Sequence, residues 1–152
     1  MAHDYLLFIT WKTWAGVMSI DQALAGKLAK ALPSLAMAES AAILELAIMP
    51  DHVHAVVELT TRTDVPRLVQ RMKGASARFA NRDGWTRTHL RWERGYDART
   101  VARDGLGRVR AYLDSQSEHH GRPLLARWTG PSRAEQAANV LETGRPLGAE
   151  AH

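Results

Sequence analysis

The 152-residue sequence predicts an α+β domain, an antiparallel sheet of four or more strands with helices on one face. Three observations predict it. Short apolar, β-branched runs alternate with longer stretches whose apolar residues recur at helical spacing. Two of the short runs are joined only by Met49-Pro50-Asp51, a link short enough to imply a hairpin. The elements follow the order strand, helix, strand, strand, helix, strand, helix.

Tyr5-Leu6-Leu7-Phe8-Ile9-Thr10-Trp11 reads as the first strand, rich in aromatic and apolar residues. Ser19 or Asp21 caps a helix carrying Ala23, Leu24, Leu28, Ala31 and Leu32, and Pro33 ends it or closely follows its end. Residues 41–48 form a second apolar run, whose length and following Pro50 favour a strand over a helix. His52 to Leu59 is the third strand.

Thr63 or Asp64 caps the second helix, with Pro66 in its first turn. Val65, Leu68, Val69, Met72, Ser76 and Phe79 share one stripe, with Arg67, Arg71, Lys73, Arg78 and Arg82 off it or at its edges. Asn81 to Gly84 reads as a turn, and residues 90–101, broken at Gly95, as an irregular fourth strand. Asp104 caps a third helix through about His119, with Leu106, Val109 and Leu113 as its apolar stripe; Gly121 and Pro123 stop it. This order matches the split β-α-β unit of ferredoxin-like folds. Residues 1–123 are expected to form the domain and 124–152 a tail, in which Pro131 to Leu141 has the character of a short helix.

Composition narrows the function. The absence of cysteine excludes disulfides and cysteine-based metal centres and suits the cytoplasm. No basic region followed by an apolar core opens the chain, so no signal peptide is expected. The net charge is +4. Residues 62–110 hold 13 Lys and Arg against 5 Asp and Glu, a surplus of 8, which leaves the remainder at −4. A locally basic middle points to a polyanionic partner.

The chemistry centres on Asp51-His52-Val53-His54. Side chains alternate along a strand, so His52 and His54 project from one face and can reach one ion. Taken alone, such a pair reads as polar residues at a strand start, and a metal usually takes more ligands. Tyr112 and Gln116, four residues apart, lie one turn above each other on the third helix. Gln116 offers a neutral oxygen that completes a His-His-Gln set for Mg²⁺ or Mn²⁺. Spacing alone favours a half-buried tyrosine beside a surface glutamine.

Four segments occur in order: Met49-Pro50-Asp51-His52-Val53-His54, Lys73-Gly74-Ala75-Ser76-Ala77-Arg78, Trp92-Glu93-Arg94-Gly95-Tyr96-Asp97-Ala98 and Tyr112-Leu113-Asp114-Ser115-Gln116-Ser117-Glu118-His119-His120. Together they resemble the single-tyrosine, His-hydrophobe-His (HUH) transposases of small insertion sequences and their REP-associated relatives, from about Tyr5 to Gly121. The resemblance implies a metal held by His52, His54 and Gln116, and Tyr112 as the nucleophile that forms a 5′-phosphotyrosine. It also implies single-stranded, hairpin-containing DNA as substrate. The implied assembly is a homodimer that can build each site from the histidines of one subunit and the tyrosine helix of the other. Asp51 is expected to orient a histidine or to form the turn.

Arg67, Arg71, Lys73, Arg78 and Arg82 are candidate phosphate contacts. Trp85 and Trp92 either stack on unpaired bases or pack in the core. His119 and His120 match the family pattern without an assigned chemistry, and the tail either adds a DNA contact through Arg127 and Arg133 or only a subunit contact. Two alternatives stand beside the strand transferase: a domesticated repeat-binding relative, and a non-catalytic single-stranded nucleic-acid-binding module. RNA-recognition modules share the topology but read bases with aromatic residues on the sheet, where this chain carries His52 and His54.

Overall fold

The computed structural model describes residues 5–116 and 123–132. Five strands, β1 (Tyr5–Lys12), β2 (Ala42–Met49), β3 (His52–Glu58), β4 (Asp97–Ala102) and β5 (Ala126–Thr129), form one antiparallel sheet in the order β4-β1-β3-β2-β5. Three helices, α1 (Gln22–Ala38), α2 (Val65–Arg82) and α3 (Leu106–Asp114), pack on it. The first four strands have the ferredoxin-like order; β5 widens the sheet beyond β2.

Both faces of the sheet are covered, because α1 and α2 share one face, as the sequence predicts, and the tyrosine-bearing helix α3 takes the other. Leu24, Leu28 and Leu32 of α1 and Leu68 and Met72 of α2 pack with Ile9, Trp11, Val53 and Val57 on one face. Leu113 of α3 packs with Leu6, Leu44 and Val56 on the other. Every residue of β2 and β3 is buried. A strand covered on both sides is apolar throughout, which explains why 42–49 shows no alternation.

Register decides which side chains meet. Met49 pairs with His52, leaving Pro50 and Asp51 at the hairpin tip. Thr10 lies opposite His54 and Lys12 opposite His52. A bulge between Ile43 and Glu45 resets the alternation of β2. Ile43 pairs with Val57 on the α1/α2 face, whereas Glu45 pairs with Val56 on the face of the two histidines.

Several boundaries differ from the sequence reading. Pro33 lies inside α1, which continues to Ala38. Leu32, Leu35 and Ala36 are buried. Burying a leucine is worth about 1.5–3 kcal/mol, so Leu35, with Ala36 beside it, offsets much of the roughly 3 kcal/mol that an internal proline costs. Of the two candidate caps of α1, Asp21 accepts from the Leu24 N–H at 2.8 Å; at α2, Asp64 accepts from Arg67 at 3.2 Å. Asn81 belongs to α2, not to a turn; its side-chain amide pairs with both backbone groups of Leu90, at 2.9 and 2.8 Å.

The fourth strand is only Asp97–Ala102, because Gly95 at φ 82° turns the chain before it. Asp104 does not cap α3: it sits in a 3-10 turn, Arg103–Gly105, and Gly105 occupies the N-cap without a side-chain bond. Residues 126–129, expected in a tail, form β5, because Leu46 and Trp128 pair across β2 and β5 and Trp128 packs on the core. His119, His120, Gly121, Arg133 and nearly all of the 131–141 segment lie outside the described residues. Among the described residues no helix is long and apolar enough to cross a membrane.

Candidate active site

The site lies on the sheet face that α3 crosses. β3 is a regular strand here, so His52 and His54 project the same way, with ring centroids 4.7 Å apart. Both are buried. α3 ends at Asp114 with Ser115 as its C-cap, earlier than the sequence suggests, and Gln116 just past it lies over them: its Oε1 stands 2.8 Å from His54 Nε2 and 3.5 Å from His52 Nε2. Gln116 is itself buried, and its Nε2 donates to the Tyr112 carbonyl at 3.3 Å, which fixes the amide orientation.

The far side of each imidazole is also held. Asp51 Oδ1 accepts from His52 Nδ1 at 2.8 Å. Thr10 Oγ1 meets His54 Nδ1 at 2.7 Å. Asp51 is in turn fixed through its carbonyl, which accepts from the Thr13 N–H at 2.9 Å. The Nε2 atoms therefore aim at Gln116 by construction, with Asp51 orienting His52. Among the described residues no three His, Cys, Asp or Glu side chains gather into a metal-binding set.

Tyr112 sits one turn before Gln116. Its ring centroid is 6.0 Å from that of His54 and 6.4 Å from that of Phe8, and the residue is 38% exposed. It lines a cavity of about 330 Å³ with Thr10, Lys12, Asp51, His52 and His54. A second cavity of about 650 Å³ runs from His54 and Tyr112 toward Arg99 and Arg108. Lys12, Thr10 and Arg99 escape sequence reading, because only the pairing of β1 with β3 and β4 brings them to this face, whereas Arg108 comes from α3, one turn before Tyr112.

The basic residues of α2 lie on the opposite side of the sheet. Arg71 and Arg78 are exposed and line a cavity of about 360 Å³. Arg67 is paired with Glu39 at 2.9 Å and Arg82 with Asp83 at 2.8 Å. Lys73 donates to the carbonyls of Glu93 and Gly95, both at 2.7 Å, and so pins the 93–95 loop to the helix. Burial lowers the pKa of its ammonium from the usual lysine value, partly opposed by the Glu93 charge. Trp92 is a core residue: its indole donates to Ser76 Oγ at 3.1 Å, and Trp11 packs edge-on at 6.0 Å. Trp85 is half-buried against Phe79. Trp14 is the exposed tryptophan of this region, with the Arg91 guanidinium 3.8 Å above its ring.

Comparison with known proteins decides the family. The sequence profile described as "Transposase IS200 like" matches residues 3–116. The chain belongs to the IS200-like transposase family. The matched region ends at Gln116 and so contains His52, His54 and Tyr112. Two solved structures share the fold of this IS200-like chain. One, a candidate transposase from Deinococcus radiodurans R1, is 24% identical with a TM-score of 0.53, covering 76% of this chain and 92% of the other. The second is a REP-associated tyrosine transposase bound to a REP hairpin, 15% identical with a TM-score of 0.55, covering 80% and 70%. No curated protein matches the chain.

Proposed function

We propose that this IS200-like transposase cleaves and rejoins single-stranded, hairpin-containing DNA, with Tyr112 as nucleophile and Mg²⁺ or Mn²⁺ held by His52, His54 and Gln116. The observation that carries the reading is the convergence of His52 Nε2 and His54 Nε2 on Gln116 Oε1, one helical turn from Tyr112.

The donor set suits a divalent ion. Asp51 is an acceptor, so it receives the hydrogen bond of an Nδ1–H on His52, the tautomer that turns the Nε2 lone pair toward Gln116 Oε1, another acceptor. Two lone pairs facing one another call for a proton or a cation between them. Ligands about 2.1 Å from a common ion in octahedral geometry stand roughly 3 Å apart, close to the 2.8 and 3.5 Å seen here. When bound, the ion would withdraw charge from an oxygen of the scissile phosphate.

The chain's own groups supply the rest. The Tyr112 hydroxyl oxygen forms a bond to phosphorus while the bond to the 3′ oxygen breaks. The phenolic proton is lost and the 3′ oxygen gains one. The products are a 5′-phosphotyrosine and a 3′-hydroxyl, and attack by a 3′-hydroxyl reverses the step without an energy source. Lys12, Arg99 and Arg108 place positive charge around the phosphate on the site face, while Arg71 and Arg78 contact DNA on the far side of the sheet. A tyrosine transposase of similar fold bound to a REP hairpin supports the choice of substrate. A homodimer belongs to the proposal on the family resemblance alone.

The test is incubation with single-stranded hairpin DNA and Mn²⁺, read as a covalent protein–DNA adduct. An adduct that forms on this chain and is lost in Tyr112→Phe is the expected result. An adduct that persists in Tyr112→Phe refutes the assignment.

A further inference from the structure

Glu45 is a wholly buried carboxylate in an otherwise apolar strand. The bulge in β2 sends it to the face of the candidate site, and three other groups converge on it there. Arg110 of α3 donates to its Oε2 at 2.7 Å, Arg127 of β5 donates to its Oε1 at 2.7 Å, and the Thr129 hydroxyl donates to the same Oε1 at 3.0 Å. The Arg127 guanidinium extends further: its Nε donates to Asp114 of α3 at 2.9 Å. One arginine thus joins β2 to α3, and one carboxylate joins α3 to β5.

This network spans the helix that carries the nucleophile. Arg110 and Asp114 bracket Tyr112 in sequence, and Asp114 lies two residues before Gln116. The apolar anchor of α3 is small, since Leu113 is its one fully buried hydrophobic residue among the described positions. Burying a carboxylate is costly unless it is paired and hydrogen-bonded throughout, as Glu45 is. Such a group does little for net stability compared with an apolar substitute, but it selects one geometry.

We propose that Glu45 and Arg127 are positioning residues: they clasp α3 onto its own sheet, so that Tyr112 and Gln116 face the His52–His54 pair of the same chain. The clasp follows from the ion pairs; its effect on cleavage rests on the function proposed above. It gives β5 a role beyond widening the sheet. Arg127 works inside the protein, not as a phosphate contact of a tail. Lysine cannot replace it fully, because a single ammonium lacks the fork that reaches Glu45 and Asp114 together.

The experiment compares the full chain with Arg127→Ala, Arg127→Lys and Asp114→Asn. Arg127→Ala leaves Glu45 paired to Arg110 and Thr129; Asp114 is mostly exposed, so Asp114→Asn tests the outer half of the clasp where folding is not at risk. Amide hydrogen exchange is followed in α3 and in β3. Adduct formation is timed on saturating hairpin DNA with Mn²⁺, and DNA affinity is measured alongside. Exchange should quicken in α3 and not in β3, with affinity unchanged. The adduct rate should fall by about 10²-fold in Arg127→Ala, the scale of a reacting group displaced by an ångström, and by less in Arg127→Lys. Unchanged exchange in α3, or an equal rise in β3, overturns the clasp. If the unaltered chain forms no adduct at all, the catalytic reading fails, and the exchange data still decide whether Glu45 and Arg127 hold the helix.

Discussion

His54 Nε2 and Gln116 Oε1 stand 2.8 Å apart although 62 residues separate them in the chain. One side chain comes from the centre of the sheet and the other from just past the C-terminal end of the helix that crosses it. The contact places the histidine pair and the tyrosine helix of a single chain in one site.

That contact makes metal binding testable residue by residue. His52→Ala, His54→Ala and Gln116→Ala should each lose Mn²⁺ binding, measured by calorimetry, while the far-UV circular dichroism stays that of the parent. Asp51→Asn should weaken it by about 10- to 100-fold, the usual consequence of removing the group that orients a ligating histidine. Undiminished affinity in all four variants would show that this cluster holds no ion.

The nucleophile can be tested exhaustively, because the chain has three tyrosines. Tyr112→Phe removes one oxygen and little volume, so it should fold and bind hairpin DNA but form no adduct. Peptide mapping should find the nucleotide on Tyr112; a nucleotide on Tyr5 or Tyr96 would move the chemistry elsewhere.

Subunit mixing tests where each site is built. Tyr112 and the histidines meet within one chain, so His52→Ala mixed with Tyr112→Phe leaves every site short of one group. No cleavage should return. Recovered cleavage in the mixture would mean that the tyrosine helix serves a neighbouring subunit.

The far side of the sheet has its own test. Arg71 and Arg78 are exposed, whereas Lys73 is committed to two carbonyls. Replacing Arg71 and Arg78 by Ala should flatten the log–log salt dependence of DNA binding by about 0.7–0.9 per lost contact. Lys73→Ala should instead loosen the 93–95 loop. An unchanged slope in the double variant would remove α2 from the DNA interface.

Pro33 offers a test of the packing argument. An alanine there restores the helical N–H that proline lacks and removes its clash with the preceding turn. Urea unfolding should show a gain of about 1–3 kcal/mol, part of the helix gain being offset by a freer unfolded chain. A loss of stability would mean that the proline ring itself is needed where it packs.

Much was determined by the sequence itself. Period-2 spacing put His52 and His54 on one face, and the four-residue step put Tyr112 one turn from Gln116; both are local consequences of backbone geometry. The apolar runs and the short Met49–Asp51 link determined the hairpin for the same reason. What tertiary structure decided are matters of register and burial. Pro33 reads locally as a stop, yet the buried face around Leu32 and Leu35 carries α1 past it. Residues 126–129 are too short to announce a strand, and β5 exists because β2 offers an edge to pair with. Glu45 looks like an interruption in an apolar run until the bulge turns it toward Arg110 and Arg127. Thr10 and Lys12 join the histidines only through the pairing of β1 with β3. Local spacing sets which face a side chain takes, but strand register and the burial of a distant partner set what it finds there.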